Sequence, residues 1–210
     1  MKPCIEGQRE RVRELCRNAA LALYGQCPEF TVERPRMGGG DFAASAALAL
    51  GGTLRRRPSE IAAELAEKIE LPEGERVEVG GKGFLNFFLR PDFLTAVLEP
   101  VRELPYVPLP ELSAPEFAAA HSYHRLRKLL ELHGIKPVDK PSLEQLTSPE
   151  EVRLLWAIAE EKPAEIIAAA MELYDKLGLS AGDRSKAEAR YVLLNNALYL
   201  MYRGKEDSYE

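Results

Sequence analysis

Residues 77–89 read Val-Glu-Val-Gly-Gly-Lys-Gly-Phe-Leu-Asn-Phe-Phe-Leu. Val77 and Val79 alternate with Glu78 and Gly80, the period of two that a strand imposes on its side chains. Gly80-Gly81-Lys82-Gly83 turns the chain, and Phe84 to Leu89 runs back beside the first strand. The same alternation places Phe84, Asn86 and Phe88 on one face and Leu85, Phe87 and Leu89 on the other. A hairpin of this kind cannot stand alone. It needs further strands or helices over its apolar side.

The flanking sequence supplies them. Val12, Leu15, Cys16, Ala19 and Leu23 recur at helical spacing, so residues 6–24 read as an amphipathic helix. Phe30 to Glu33 is β-prone and stopped by Pro35. Gly38-Gly39-Gly40-Asp41 leads into an alanine-rich helix through Leu50. Pro58 opens another helix with Ile61, Leu65 and Ile69 on one stripe. The expectation is an α+β domain with a small antiparallel sheet and helices.

Pro100, Pro105, Pro108, Pro110 and Pro115 then crowd into a stretch that resists helix and cannot enter a central strand. The boundary is placed near residue 107, with an α+β domain over 1–104, a linker over 105–114 and a second domain over 115–210. The second domain reads as all-helical. One helix runs from about Pro115 to Leu132. Ser148-Pro149-Glu150-Glu151 has the layout of a capping box and starts a helix ending near Lys162-Pro163. A third runs to Gly178 with Ile167, Ala170, Met171 and Tyr174 on its stripe. The last spans about Asp183 to Arg203 with Tyr191, Leu194, Leu198 and Met201 facing inward. A small antiparallel helical bundle follows.

Composition sets the bounds on function. The 210 residues carry 28 Lys+Arg against 33 Asp+Glu, for a formal charge of −5. Residues 1–105 hold 15 basic and 16 acidic groups and residues 106–210 hold 13 and 17, so neither half is a basic domain. A general polyanion binder is thereby disfavoured, while a local basic face is not. The longest nearly apolar stretch, Phe42 to Gly52, is about half of the roughly 20 residues a membrane span needs. Glu6, Arg9, Glu10 and Arg11 interrupt any early apolar run, so no signal peptide is expected. Three cysteines without a Cys-x-x-Cys pair suit a reducing cytoplasm, and Cys16 on its apolar stripe reads as core.

Candidate sites each have a plain reading beside the functional one. The glycines before Asp41 suggest a phosphate cradle. Asp41 would instead put a carboxylate at the helix's positive end, so a capped turn is expected. His121 and His124 share a helical face, but a third ligand is missing and no metal is expected. His121-Ser122-Tyr123-His124 also echoes the His-Ile-Gly-His signature of class I aminoacyl-tRNA synthetases. That signature needs a glycine where Tyr123 stands, so the match is rejected. No Ser-His-Asp or Cys-His arrangement stands out, and no catalytic residue or cofactor is expected.

The Phe84, Asn86 and Phe88 face has two readings. It is either one side of a two-sided core strand, with Asn86 bonded internally, or a platform for an unpaired base. In the second case the rings stack and the amide reads an edge. Arg55-Arg56-Arg57 before a helix, Arg9, Arg11, Arg13 and Arg17 on the first helix, and Arg125, Arg127 and Lys128 on another form basic clusters. Each is a phosphate-tracking surface or simply a solvated face.

These residues resemble a known family, arginyl-tRNA synthetase. Val32-Glu33-Arg34-Pro35, Gly40-Asp41-Phe42-Ala43-Ala44-Ser45, Pro58-Ser59-Glu60-Ile61-Ala62 and the Gly83-Phe84-Leu85-Asn86-Phe87 hairpin look like its N-terminal additional domain, in order and spacing. In that family the domain contacts the outer corner of tRNA at the D-loop. The resemblance implies Phe84 and Asn86 as base contacts, and alternation adds Phe88 on the same face. With RNA on that face, Lys82 and the basic clusters Arg55, Arg56, Arg57, Arg125, Arg127 and Lys128 are the cations expected to meet its phosphates. Residues 117–126, 146–155 and 190–198 are similar to the family's helical anticodon-binding domain, known by the letters DALR, with a shorter segment between Lys162 and Asp183. The family's catalytic domain normally lies between these parts. Here only the proline-rich linker does, and neither a His-x-Gly-His nor a Lys-Met-Ser-Lys motif occurs. The resemblance therefore implies a non-catalytic tRNA-binding module or adaptor, with arginine tRNA as partner. The alternatives are a protein-interaction module that docks on a partner and an aid to an aminoacylating or tRNA-modifying enzyme in trans.

Overall fold

The structure, a computed structural model, describes residues 2–35, 39–98, 112–132, 134, 141–175 and 184–206. Two compact units divide the chain. One is Glu6–Pro91, and the other takes in Met1–Ile5 and Asp92–Glu210.

Helix α1 (Lys2–Tyr24), whose residues 6–24 belong to the first unit, is followed there by strands β1 (Val32–Glu33) and β2 (Phe42–Ala44). Helices α2 (Ala46–Leu54) and α3 (Pro58–Lys68) come next, then strands β3 (Arg76–Gly80) and β4 (Phe84–Phe88). The strands form one antiparallel sheet in the order β1-β2-β4-β3. Phe42 pairs with Phe87 and Ala44 with Leu85, so the apolar rows of β2 and β4 share a face. Phe42, Phe87, Leu85, Leu50, Ile61 and Leu65 are all fully buried there. Each such side chain contributes roughly 1.5–3 kcal/mol relative to exposure.

Three expectations change here. Residues 42–44 form a strand, and the alanine-rich helix begins only at Ala46. Strand pairing with β4, and a tie from Ser45 N–H to the Thr31 carbonyl at 3.0 Å, override the helix preference of the alanines. Asp41 consequently does not cap a helix. Its carboxylate accepts the Leu89 N–H at 2.8 Å and its own N–H donates to the Phe87 carbonyl at 2.7 Å, closing the end of β4. Burial pushes the Asp41 carboxyl up, and the Leu89 N–H works against that. Gly38 of the expected cradle lies outside the described residues. On α1, Val12, Cys16, Ala19 and Ala20 are buried while Leu23 is exposed, so the stripe drifts off the core before the helix ends.

The second unit is helical: α4 (Ala114–Leu132), α5 (Pro149–Ala159), α6 (Pro163–Asp175) and α7 (Arg184–Glu206), with short 3-10 turns at Pro91–Leu98 and Leu143–Gln145. The Ser148 hydroxyl accepts the Glu151 N–H and the Glu151 carboxylate accepts the Ser148 N–H at 2.8 Å, the expected capping box. Glu151 is fully buried, and Arg190 and Lys186 on α7 supply its countercharges. On α6 the buried stripe is Ile166, Ala169, Ala170 and Leu173, one residue ahead of the expected one, and Met171 is exposed. Val192 to Leu198 are buried without a break, so α7 is covered on all sides over this stretch.

The segment after Pro91 departs from the expected boundary near residue 107. Leu94, Val97 and Leu98 are buried, Asn196 donates its amide to the Val97 carbonyl at 2.6 Å, and Phe93 meets Trp156 edge-on at 5.6 Å. Those contacts bind residues 92–98 to the helical unit. Of the prolines read as a linker, only Pro115 lies within the described residues, inside α4. No helix among the described residues is long and apolar enough to cross a membrane.

Candidate nucleic-acid interface

Strand β4 is one-sided. Leu85 and Phe87 are fully buried, Phe84 is 39% exposed, and Asn86 and Phe88 are half-buried. The reading of a two-sided core strand therefore gives way to an accessible face. Asn86 pairs with Ala43 on β2 and with Glu78 on β3. Phe84 pairs with Gly80, and Phe88 with Arg76.

The Asn86 amide has no hydrogen-bond partner among the described residues. A Cβ at Gly80 would lie 2.2 Å from its Nδ2, and one at Gly39 would lie 3.1 Å away. The absence of side chains at these two positions leaves the amide room on both flanks. A half-buried carboxamide that still has its donors and acceptor available is suited to reading a polar edge.

Phe84 and Phe88 are four residues apart on one strand, about 14 Å along it. One base could not lie between the two rings, so they are two separate positions on the face. Phe88 is also not bare. The guanidinium carbon of Arg76 lies 3.7 Å from its ring centroid, and Arg76 Nε donates to Glu78 Oε1 at 2.7 Å. Neither Arg76 nor Glu78 was singled out by the sequence. The signal available was the register, because alternation on β3 puts residues 76, 78 and 80 opposite 88, 86 and 84.

At the other end of the face the turn between β3 and β4 rests on the start of α3. Gly83 has φ +113, and a Cβ there would lie 2.8 Å from the carbonyl carbon of Pro58. Only glycine allows both the backbone angle and this approach. The contact brings the exposed Lys82 turn against the loop that carries Arg55, Arg56 and Arg57.

The three arginines differ. Arg55 caps the C-terminus of α2 in a left-handed conformation and is exposed. Arg57 is 84% exposed at its side chain and 4.0 Å from Glu60. Arg56 forks onto Glu64 at 2.5 and 3.2 Å, and Glu64 also accepts the Tyr24 hydroxyl. The Arg56 bond and then the Tyr24 bond hold the Glu64 carboxyl down at about 2, while burial and the Glu64 bond push Tyr24 up to about 12. On α1, Arg9, Arg13 and Arg11 pair with Glu6, Glu10 and Glu75.

Arg125, Arg127 and Lys128 lie on α4, in the helical unit. Arg127 and Lys128 both pair with Glu131, at 3.0 and 3.5 Å, and Arg125 is exposed. His121 stacks on Phe117, and His124 meets the Tyr123 ring edge-on. Tyr123 is buried and shares a 2.9 Å hydroxyl contact with Tyr191, and burial raises it well above the usual tyrosine range. Among the described residues no three His, Cys, Asp or Glu side chains come together as a metal site.

Comparison with known proteins places a match over the sheet-bearing unit, Glu6–Pro91. Residues 9–89 match the model of the arginyl tRNA synthetase N terminal domain. The chain is 35% identical over 96 residues to the arginine–tRNA ligase of Oceanobacillus iheyensis, covering 44% of this chain and 17% of that protein. It is 39% identical over 101 residues to the arginine–tRNA ligase of Thermotoga maritima, covering 47% of this chain and 18% of that protein. The chain thus spans under a fifth of the length of these curated relatives. A solved structure of Thermus thermophilus arginyl-tRNA synthetase aligns with 94% of this chain and 38% of its own, at 21% identity and a TM-score of 0.36.

Proposed function

We propose that this chain is a tRNA-binding module whose contact surface is the open face of the β4 strand. The observation that carries the reading is the Asn86 amide, without a hydrogen-bond partner among the described residues and set between Phe84 and Phe88 on an accessible sheet face. It lies in a unit related to the arginyl-tRNA synthetase N-terminal domain. Unpaired loop bases are recognised by stacking on rings and by bonds to their edges, and this face offers both. The corner formed by Lys82, Arg55 and Arg57 supplies cations for the flanking phosphates. Such contacts release counterions, so affinity falls with salt.

Arginine tRNA is the proposed ligand, held at its D-loop corner, with the helical unit as a second contact toward the anticodon stem through Arg125, Arg127 and Lys128. The chain works in this reading as a non-catalytic adaptor in the cytoplasm. Neither the His-x-Gly-His nor the Lys-Met-Ser-Lys string of a class I synthetase occurs in its 210 residues. Filter binding of the full chain to unfractionated tRNA across a salt series tests the RNA reading. Salt-sensitive binding at micromolar protein or below is expected, and its absence would overturn the reading. ATP–pyrophosphate exchange by the purified chain would overturn the non-catalytic part.

A second reading, a docking module for a protein partner, is favoured by the exposed apolar side chains of the helical unit, Phe117, Leu132, Val152 and Met171. It predicts a stoichiometric complex that survives nuclease and is lost on Phe117→Ser or Met171→Ser.

A further inference from the structure

Arg76 stands beside Asn86 on the open sheet face, and three observations define its state. It pairs directly with Phe88 across the β3–β4 ladder, so both side chains rise from the same face. Its guanidinium carbon lies 3.7 Å from the Phe88 ring centroid. Its Nε donates to Glu78, the two terminal nitrogens have no hydrogen-bond partner among the described residues, and its charge is also felt by the Asp41 carboxylate. The Arg76 side chain is 60% exposed and that of Glu78 is 54% exposed.

We propose that the Arg76 guanidinium, backed by Phe88, is a second base-stacking platform of the RNA face, separate from the Phe84 platform. The inference rests on the reading of this face as an RNA surface. It assigns different work to the two phenylalanines: Phe84 meets a base directly, and Phe88 positions the arginine that does.

Stacking accounts for the arrangement better than a phosphate contact. Glu78 lies against Arg76, so the pair carries no net charge and attracts a bare phosphate only weakly. A base ring needs a flat, polarisable partner rather than net charge, and guanidinium planes stack on bases as aromatic rings do. Phe88 beneath and Glu78 beside the guanidinium restrain it before RNA arrives, which lowers the ordering cost of binding. The separation of Phe84 from Phe88, about 14 Å along the strand, leaves room for two unpaired bases rather than one. Asn86, midway between them, is placed to read the edge of either.

The test uses the full chain, unfractionated tRNA and filter binding at several salt concentrations, with the variants Arg76→Lys, Phe88→Leu and their combination. Arg76→Lys keeps the charge and removes the plane. Binding about tenfold weaker is expected, in line with the loss of one stacked base, with the salt slope unchanged. Phe88→Leu should weaken binding to a similar degree, and the double variant should be no worse than either single one. Arg76→Lys binding as tightly as the parent would overturn the platform, as would two losses that multiply in the double variant. Should Phe84→Ala and Asn86→Ala weaken binding while Arg76→Lys does not, the RNA surface stands and the Arg76 platform falls. Should the parent show no salt-sensitive binding, both fall.

Discussion

Arg76 and Phe88 oppose one another across β3 and β4, with the guanidinium carbon 3.7 Å from the ring centroid. The pair divides the open face into an arginine-covered end and an uncovered end at Phe84, with the Asn86 amide between them. The face is therefore a set of unlike positions, and its residues are expected to respond differently to substitution.

Asn86→Ala should relax discrimination more than it weakens binding. The amide is half-buried without a hydrogen-bond partner among the described residues, so its removal strands no polar group among them. The loss is the edge bond alone, about 1–3 kcal/mol against the preferred RNA and little against others. Competition between arginine tRNA and total tRNA measures it. An equal loss for both would contradict the assignment of Asn86 as reader.

Arg57→Glu should weaken every RNA alike. Its side chain is 84% exposed and its nearest carboxylate is 4.0 Å away, so the substitution changes charge with little effect on folding. A drop of roughly three- to tenfold at low salt is expected, with a shallower salt slope. Arg56→Glu is a less clean probe, because it also breaks the Tyr24–Glu64–Arg56 network. Unchanged binding with Arg57→Glu would remove this corner from the interface.

Phe84 and Phe87 should separate binding from stability. Phe87 is fully buried, and Phe87→Ala should cost about 3–5 kcal/mol in urea unfolding. Phe84 is 39% exposed, so Phe84→Ala should cost about 1 kcal/mol or less while losing a stacked base's worth of RNA affinity. Comparable stability losses from the two variants would contradict the one-sided strand.

Acid should loosen the Tyr24–Glu64–Arg56 network over a defined range. The Glu64 carboxyl is held at about 2, below its ordinary value near 4.5. A carboxylate depressed by folding contributes stability above its unfolded pKa, and that contribution is lost as pH falls from about 4.5 toward 2. Tyr24, pushed up to about 12, contributes below about 10 and loses its contribution as pH rises through 12. Glu64→Gln should therefore flatten the melting-temperature profile between pH 4.5 and 2. Because the pair is exposed, the change should be small.

The start of α5 should be sensitive in a graded way. Ser148→Ala removes one half of the capping box and should cost about 1 kcal/mol in urea. Glu151→Ala also strands Arg190 beside a buried site, and should cost about 3–5 kcal/mol. Equal costs would mean that the Arg190 contact adds nothing beyond the cap.

The two hairpin strands, the starts of α3 and α5 and the all-helical second half were legible in the sequence because each rests on local rules. Alternation, Pro at the first helical position and a Ser-x-x-Glu cap act over a few residues. The side on which Phe84, Asn86 and Phe88 lie was legible for the same reason. That this side is open, that Asn86 finds no hydrogen-bond partner among the described residues, and that Arg76 covers Phe88 were not, because each depends on which strands flank β4 and in what register. Residues 42–44 carry the same lesson: alanines that favour helix became a strand because β4 offered a partner 43 residues away in sequence. Residues 92–98 carry it too, since Asn196 captures the Val97 carbonyl across 99 positions. Local signals by themselves determined the hairpin with its two faces, the starts of α3 and α5 and the helical character of the second half. The tertiary structure alone decided which faces are covered and which polar groups find partners, because burial and hydrogen bonding are settled between elements distant along the chain.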